Sequence, residues 1–254
     1  MLRHAENGIE WLTFELFAEC KKLSHGILLR KGGHSQENFA SLNLSFSVGD
    51  NSSHVQQNLQ KVQKTCRLPP LNTLRQAHGK AIRDLQIPCF EASTADALVT
   101  RIPHQTLFIT HADCQAAIFY DPVNHVLANV HAGWRGNVQQ IYREVIEYLK
   151  GKYGTQPQNI LAGISPSLGP KHAEFKHYQQ EFPQAFWEYQ VAPNYFDLWA
   201  IAKMQLMTCG LLDAHIEIAQ MDTFDAPGDF FSYRRNRETG RNATFAVLLE
   251  NNQV

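Results

Sequence analysis

The sequence predicts an α/β fold, a layered mixed-sheet α/β sandwich built as a single domain over residues 1–254. Three observations predict it. Short β-favouring runs crowd residues 107–130, divided by turn-forming stretches. Apolar residues at helical spacing recur on either side, around Val55 and around Val145. Strands and helices are interspersed without strict βαβ alternation, and neither Gly-x-Gly-x-x-Gly nor Gly-x4-Gly-Lys-Ser/Thr occurs, so the loops of dinucleotide and P-loop folds are missing.

Taken in order, residues 11–17 alternate loosely and predict an opening strand, with residues 26–29 as its neighbour. Gly32-Gly33 marks a turn that glycine makes at low cost. From Ser53 the positions Val55, Leu59, Val62 and Cys66 predict a helix stopped by Pro69-Pro70. Residues 107–110, 116–120 and 126–130 read as strands, and Asp121-Pro122-Val123-Asn124 as a hairpin turn. Val138, Ile141, Val145, Ile146 and Leu149 share one helical face, with Asn137 placed to cap it and Gly151 to stop it. Residues 160–164 predict a strand and 197–208 a helix closed by Gly210. Residues 215–219 and 244–249 are late strands.

Composition narrows the function. Hydrophobic residues make up 44% and charged residues 19%, enough to bury a core. With 23 basic against 24 acidic residues, the electrostatic case for a nucleic-acid or anionic-membrane partner is gone. No run approaches the roughly 18 apolar residues of a membrane span, and the first residues lack a basic segment followed by an apolar one, so a cytoplasmic protein is expected. The five cysteines, Cys20, Cys66, Cys89, Cys114 and Cys209, form no Cys-x-x-Cys pair and no disulfide framework. Histidine, at 12, is the unusual count.

Three segments put a ligating or nucleophilic side chain at a strand end: Gln76-Ala77-His78-Gly79, His111-Ala112-Asp113-Cys114 and His131-Ala132-Gly133-Trp134-Arg135-Gly136. Two imidazoles and a thiolate, from His78, His131 and Cys114, make a partial zinc set whose open fourth position suits catalysis. The spacing alone matches no local zinc motif, a lone buried cysteine is usually inert, and a histidine at a strand end is more often simply hydrogen-bonded. Arg135 lies near a helix start, where a phosphate is at home.

These segments stand in order with Leu29-Arg30-Lys31-Gly32-Gly33-His34-Ser35, Ser41-Leu42-Asn43-Leu44, Ala95-Asp96-Ala97-Leu98-Val99-Thr100, Phe231-Ser232-Tyr233-Arg234-Arg235 and Thr239-Gly240-Arg241. Together, over residues 26–249, they resemble the YfiH-like family, also labelled laccase-domain or polyphenol oxidase proteins. The resemblance implies a zinc-dependent purine nucleoside phosphorylase that also deaminates adenosine, on a sandwich related to toxin deamidases. It implies metal and active-site positions at His78, Cys114 and His131. Two departures stand out. Asp222-Thr223 replaces a usual Cys-Thr, and Ile164-Ser165-Pro166 opens a loop that usually carries glycine in place of Ser165.

Phosphorolysis would need a phosphate held beside a leaving purine. Arg135 and a cluster of Arg234, Arg235, Arg237 and Arg241 are candidate phosphate partners, with Arg135 and Arg234 preferred and Arg237 read as a solvated loop residue. Trp134, Phe231 and Tyr233 are candidates to stack on a base, although burial in a core is the commoner fate. Deamination would use a water that zinc acidifies to a pKa of ~7, with Asp113 as proton carrier or else as a turn residue. The combined His-x-Glu and Pro-Cys-x-x-Cys deaminase signature is absent. Rival readings are a cysteine hydrolase or amidase using Cys114 with His131, acting on peptidoglycan precursors, and a metal-binding module without turnover. A multicopper oxidase needs about ten histidines in His-x-His pairs, and none occurs, so any copper is adventitious and any oxidase activity weak.

Overall fold

The computed structural model describes residues 1–86 and 93–250, leaving Cys89 outside the described residues. In chain order the elements are β1 (Leu2–Glu6), β2 (Ile9–Thr13), β3 (Leu23–Leu28), α1 (Ser52–Thr65), β4 (Leu71–Asn72), β5 (Ile82–Asp84), β6 (Ala97–Thr100) and β7 (Thr106–His111). They continue with β8 (Gln115–Asp121), β9 (Val126–Ala132), α2 (Trp134–Val138), α3 (Ile141–Tyr153), β10 (Leu161–Ile164), α4 (Tyr178–Glu181), β11 (Gln190–Ala192) and β12 (Tyr195–Phe196). The last are α5 (Leu198–Thr208), β13 (Ile216–Ile218) and β14 (Asn242–Leu248). Two mixed sheets carry the architecture, one ordered β1-β2-β3-β14-β7-β4 and the other β13-β10-β8-β9-β6-β5. This is the layered mixed-sheet sandwich that the pattern predicts.

Alternation along the strands explains the layering, since successive side chains leave a strand on opposite faces. Leu107 and Ile109 of β7, Ile118 and Tyr120 of β8, Leu127 of β9 and Ala246 and Leu248 of β14 fill the space between the sheets. The intervening Ala117, Phe119, Ala128 and Val130 pack outward against Val145, Ile146 and Leu149 of α3. On the far side, Phe108, Ala243, Phe245 and Val247 meet Val62 of α1. The result is helix, sheet, sheet, helix. Each fully buried Leu, Ile or Phe contributes roughly 1.5–3 kcal/mol. Asn129, on the face of β9 that looks at the other sheet, donates to the carbonyls of Leu107 and Thr244 and so stitches the sheets together.

Most expected elements are present, with small changes of boundary. The hairpin turn after β8 is there: Asp121 pairs with Val126, and its Oδ1 accepts from Val123 N at 2.9 Å and Asn124 N at 3.2 Å. The α5 helix begins as expected, capped by Asp197, which accepts from Trp199 N and Ala200 N. Four expectations are corrected. The strand over 11–17 stops at Thr13, and Glu15–Phe17 forms a 3-10 turn. That turn lets Phe14 and Phe17 enter the same inter-sheet core, whereas a strand would send them to opposite faces. The helix around Val145 is broken in two at Gln140, which takes φ of 58°. Asn137 caps nothing there, because its buried amide donates instead to Gln115 Oε1. Gly151 sits in open space inside α3, and Gly154, at φ of 71°, closes the helix as a left-handed cap.

Replacing Asp197 by Ala removes both cap hydrogen bonds and should cost about 1 kcal/mol. At this chain length that lowers the melting temperature by roughly 2–4 °C. A thermal scan giving no shift would mean that α5 does not draw on its cap.

Candidate metal centre

The route of the chain between the sheets builds the centre. After β4 in the first sheet, Gln76–Gly79 lead to β5 in the second; after β7 in the first, Ala112–Cys114 lead to β8 in the second. His78 and Cys114 therefore both sit where the backbone passes from sheet to sheet. His131 comes from β9, on the inter-sheet face it shares with Leu127 and Asn129. The three ligand atoms lie within 4.8 Å of one another. Cys114 Sγ is 3.8 Å from His78 Nε2, and the two imidazoles meet edge to face with centroids 4.9 Å apart. His78 is exposed, Cys114 half-buried and His131 only 3% exposed, so the ion-binding corner faces solvent from the His78 side. The expected trio is thus brought together.

Local backbone makes the approach feasible. His78 and Asp113 take φ of 58° and 84°, left-handed values that turn each segment sharply. Gly133 leaves the room: a Cβ there would stand 2.8 Å from His78 Cδ2 and 3.0 Å from Cys114 Sγ. The Gln76 side chain clips its loop to β7, its Oε1 accepting from Thr110 N at 3.1 Å and its Nε2 donating to Thr110 O at 2.8 Å.

Asp96, just before β6, organises the rest. Its carboxylate accepts from His78 N at 2.9 Å, Gly79 N at 2.7 Å and Ala77 N at 3.2 Å, and it meets His131 Nδ1 at 2.9 Å. Its main-chain carbonyl takes the His131 N–H at 2.7 Å. With Nδ1 engaged, Nε2 of His131 is the nitrogen turned toward Cys114 and His78, the carboxylate–histidine arrangement that orients metal ligands. Burial works against the Asp96 charge, but the hydrogen bonds from His131, Gly79 and His78 outweigh it and hold the carboxyl below its usual range. Burial also opposes charge on both Cys114 and His131. Their mutual attraction prevails, lowering the thiol and raising the imidazole, the latter with help from Asp96. Asp96 occurs in the family-like Ala95-Asp96 motif, yet reading by residue type passed over it. An acidic residue just before a buried strand was the available signal.

The remaining candidates separate clearly. Asp113 has both carboxylate oxygens engaged, Oδ1 accepting from Thr223 Oγ1 at 2.7 Å and Oδ2 from Arg234 N at 2.6 Å. It braces the Phe231–Arg235 segment over the centre. Arg234 spends its Nη1 on the carbonyls of His172 and Glu174, and Arg235 spends its guanidinium on Thr223, Phe224 and Phe230. Arg135 is exposed on α2 and lies over the Trp134 ring. Trp134 is half-buried against Phe175 and Phe182, and Phe231 is fully buried and so offers no face to a base. Tyr233 does, at 49% exposure. Of the departures, Asp222 pairs with His172 Nδ1 at 2.7 Å, and Ser165 Oγ accepts from Ala116 N at 2.9 Å.

A family described as multi-copper polyphenol oxidoreductase laccase matches residues 24–249. The chain belongs to this family. Its relatives include purine nucleoside phosphorylase YfiH of Escherichia coli (strain K12), 30% identical over 230 residues that span 87% of this chain and 91% of that protein. The purine nucleoside phosphorylase of Haemophilus influenzae is 31% identical over 227 residues, 85% of this chain and 90% of that protein. The crystal structure of YlmD from Geobacillus stearothermophilus superposes with a TM-score of 0.86 at 25% identity, covering 97% of this chain and 98% of that one. The donor set of this YfiH-like chain suits one ion. Among the described residues, two groups of three His, Cys, Asp or Glu converge, and only His78, Cys114 and His131 combine imidazoles with a thiolate. No helix among the described residues is long and apolar enough to cross a membrane.

Asp96→Asn keeps the shape but loses the charge behind His131, and should weaken zinc binding about 10–100-fold in a competition titration with a chromogenic chelator. Equal affinity would remove Asp96 from any supporting role. Gly133→Ala should likewise weaken binding of a divalent metal, with zinc as the probe, while leaving the far-ultraviolet dichroism spectrum intact; parent-like affinity in this variant would show that His78 and Cys114 need not lie so close.

Proposed function

We propose that the chain is a zinc-dependent purine nucleoside phosphorylase. It would convert adenosine and phosphate to adenine and ribose 1-phosphate and accept inosine, guanosine and methylthioadenosine, with adenosine deamination as a side activity. The observation that carries this reading is the convergence of His78, Cys114 and His131 on one solvent-facing corner, buttressed by Asp96. The names borne by the YfiH and Haemophilus influenzae relatives support the reaction class.

Three protein ligands of this type fit a zinc ion with a position left open, and the bound ion would supply positive charge for a substrate oxygen or the leaving group. In the reaction, a phosphate oxygen forms the bond to C1′ while the C1′–N9 bond breaks. The electron pair leaves with the purine, which takes up a proton. Asp96 keeps the His131 ring oriented through Nδ1. Gln76 and Asp96 together hold the His78 segment in place, a preorganised arrangement of the ligands. Tyr233 offers an exposed ring face on which a purine can lie.

One observation favours a second reading. Lowered Cys114, raised His131 and Asp96 behind it also describe a thiolate–imidazolium pair backed by a carboxylate, the resting state of a cysteine hydrolase or amidase. Such an enzyme would suit peptidoglycan-precursor editing. Weak copper-dependent polyphenol oxidation would be a property of adventitious metal at the same three ligands.

The readings part on reagents. A zinc phosphorylase should lose adenosine cleavage on chelation, regain it with zinc, and release no adenine without inorganic phosphate. Cys114→Ser should lower turnover by about a thousandfold, the several kcal/mol that a Lewis acid supplies at tenfold per ~1.4 kcal/mol. Adenosine left intact by the zinc-loaded protein with phosphate present would overturn the proposal. Activity that survives chelation but dies on alkylation would install the hydrolase.

A further inference from the structure

Arg241 stands at the head of β14, one residue before Asn242. Asn242 pairs with His111, which opens the turn carrying Asp113 and Cys114. The register therefore sets Arg241 at the same sheet end as the metal ligands. Its backbone is fixed, with its N–H donating to Asn43 Oδ1 at 3.0 Å and its carbonyl accepting from Leu44 N at 3.2 Å.

The side chain is half-buried and has no carboxylate partner among the described residues. Nη1 donates to the carbonyls of Thr239 and Gly240 at 2.8 and 3.0 Å, while Nε and Nη2 carry no protein hydrogen bond among the described residues. The Tyr233 ring lies 5.9 Å from the guanidinium. Burial weighs against the charge of Arg241, and the groups that oppose this are Cys114, Asp113 and Tyr233, all of the same corner. A half-withdrawn cation with no carboxylate at ion-pair distance is costly unless something anionic meets it. The other arginines of the cluster differ from it: Arg235 is consumed by carbonyls, and Arg234, with Nη1 likewise on two carbonyls, is exposed where Arg241 is half-buried.

We propose that Arg241 is the residue that holds inorganic phosphate, or a tetrahedral oxyanion like it, beside the metal centre, through the free Nε–Nη2 edge of its guanidinium. A planar fork of two N–H donors matches two phosphate oxygens. The inference rests on the phosphorolysis reading for its purpose, but not for its test.

The test is titration of the zinc-loaded protein with inorganic phosphate, without nucleoside, by calorimetry, for the parent and for Arg241→Gln, Arg241→Lys and Arg234→Gln. Phosphate affinity should fall by roughly 10–100-fold in Arg241→Gln. Arg241→Lys, which keeps the charge but not the fork, should fall in between, and Arg234→Gln should match the parent. Zinc content and melting temperature, read on each variant, separate loss of the anion from loss of the fold. If Arg241→Gln fails to fold, the Lys variant decides. With adenosine added, the KM for phosphate should rise and that for adenosine stay near the parent value. Parent-like phosphate affinity in a folded, zinc-replete Arg241 variant overturns the proposal, as does a parent that binds no phosphate. A parent that binds phosphate through Arg241 yet cleaves no nucleoside overturns phosphorolysis and leaves the anion site standing.

Discussion

A single buried carboxylate holds the centre together. Asp96 receives three consecutive N–H groups of the Gln76–Gly79 loop and the ring of His131, and its carbonyl takes the His131 N–H as well. A charge at 1% exposure is tolerable only when it is fully hydrogen-bonded, and these donors meet that demand. The same bonds that solvate Asp96 place one ligand on a loop and orient another on a strand. Satisfying the buried charge and building the site are one event.

The two cysteine–histidine readings share this frame and differ in what neutralises the thiolate. Cys114 and His131 each favour the other's charged form, lowering the thiol and raising the imidazole. A divalent ion held by these side chains would need the thiolate and the neutral imidazole, so metal uptake would be coupled to proton release. The arrangement is therefore prepared for a cation by the chemistry that would also make a nucleophile. The choice between them lies in whether an ion is held by the three side chains and in what fills the corner around Tyr233 and Arg241.

Much of the fold was legible because the code is local. Apolar alternation over 107–130 marks β7, β8 and β9, and Asp121-Pro122-Val123-Asn124 announces the turn. The first strand was not legible. Leu2–Glu6 is largely exposed and has no apolar period; its one signal is Asn7-Gly8, a dipeptide suited to tight hairpins, with φ of 51° and 78°. The break at Gln140 escaped for the opposite reason, since the apolar face of the helix runs unbroken through it. The ligand trio emerged from residue type and family-like motifs, because His78, Cys114 and His131 are far apart along the chain. The duties of Asp113 and Arg241 depend on partners more than a hundred residues away, Thr223 and Arg234 for the one and Asn43 for the other, and no short window holds that information.

Two of the three ligands travel on segments that leave one sheet and enter the other. An ion gripping both, together with His131, would act as a rivet through the gap, sharing duty with the Asn129 amide. By mass action, a ligand at a hundred times its dissociation constant adds about 2.7 kcal/mol to a fold it alone recognises. For this architecture that increment would fall on the seam between the sheets, so metal bound there would set how tightly the two halves of the sandwich are fastened.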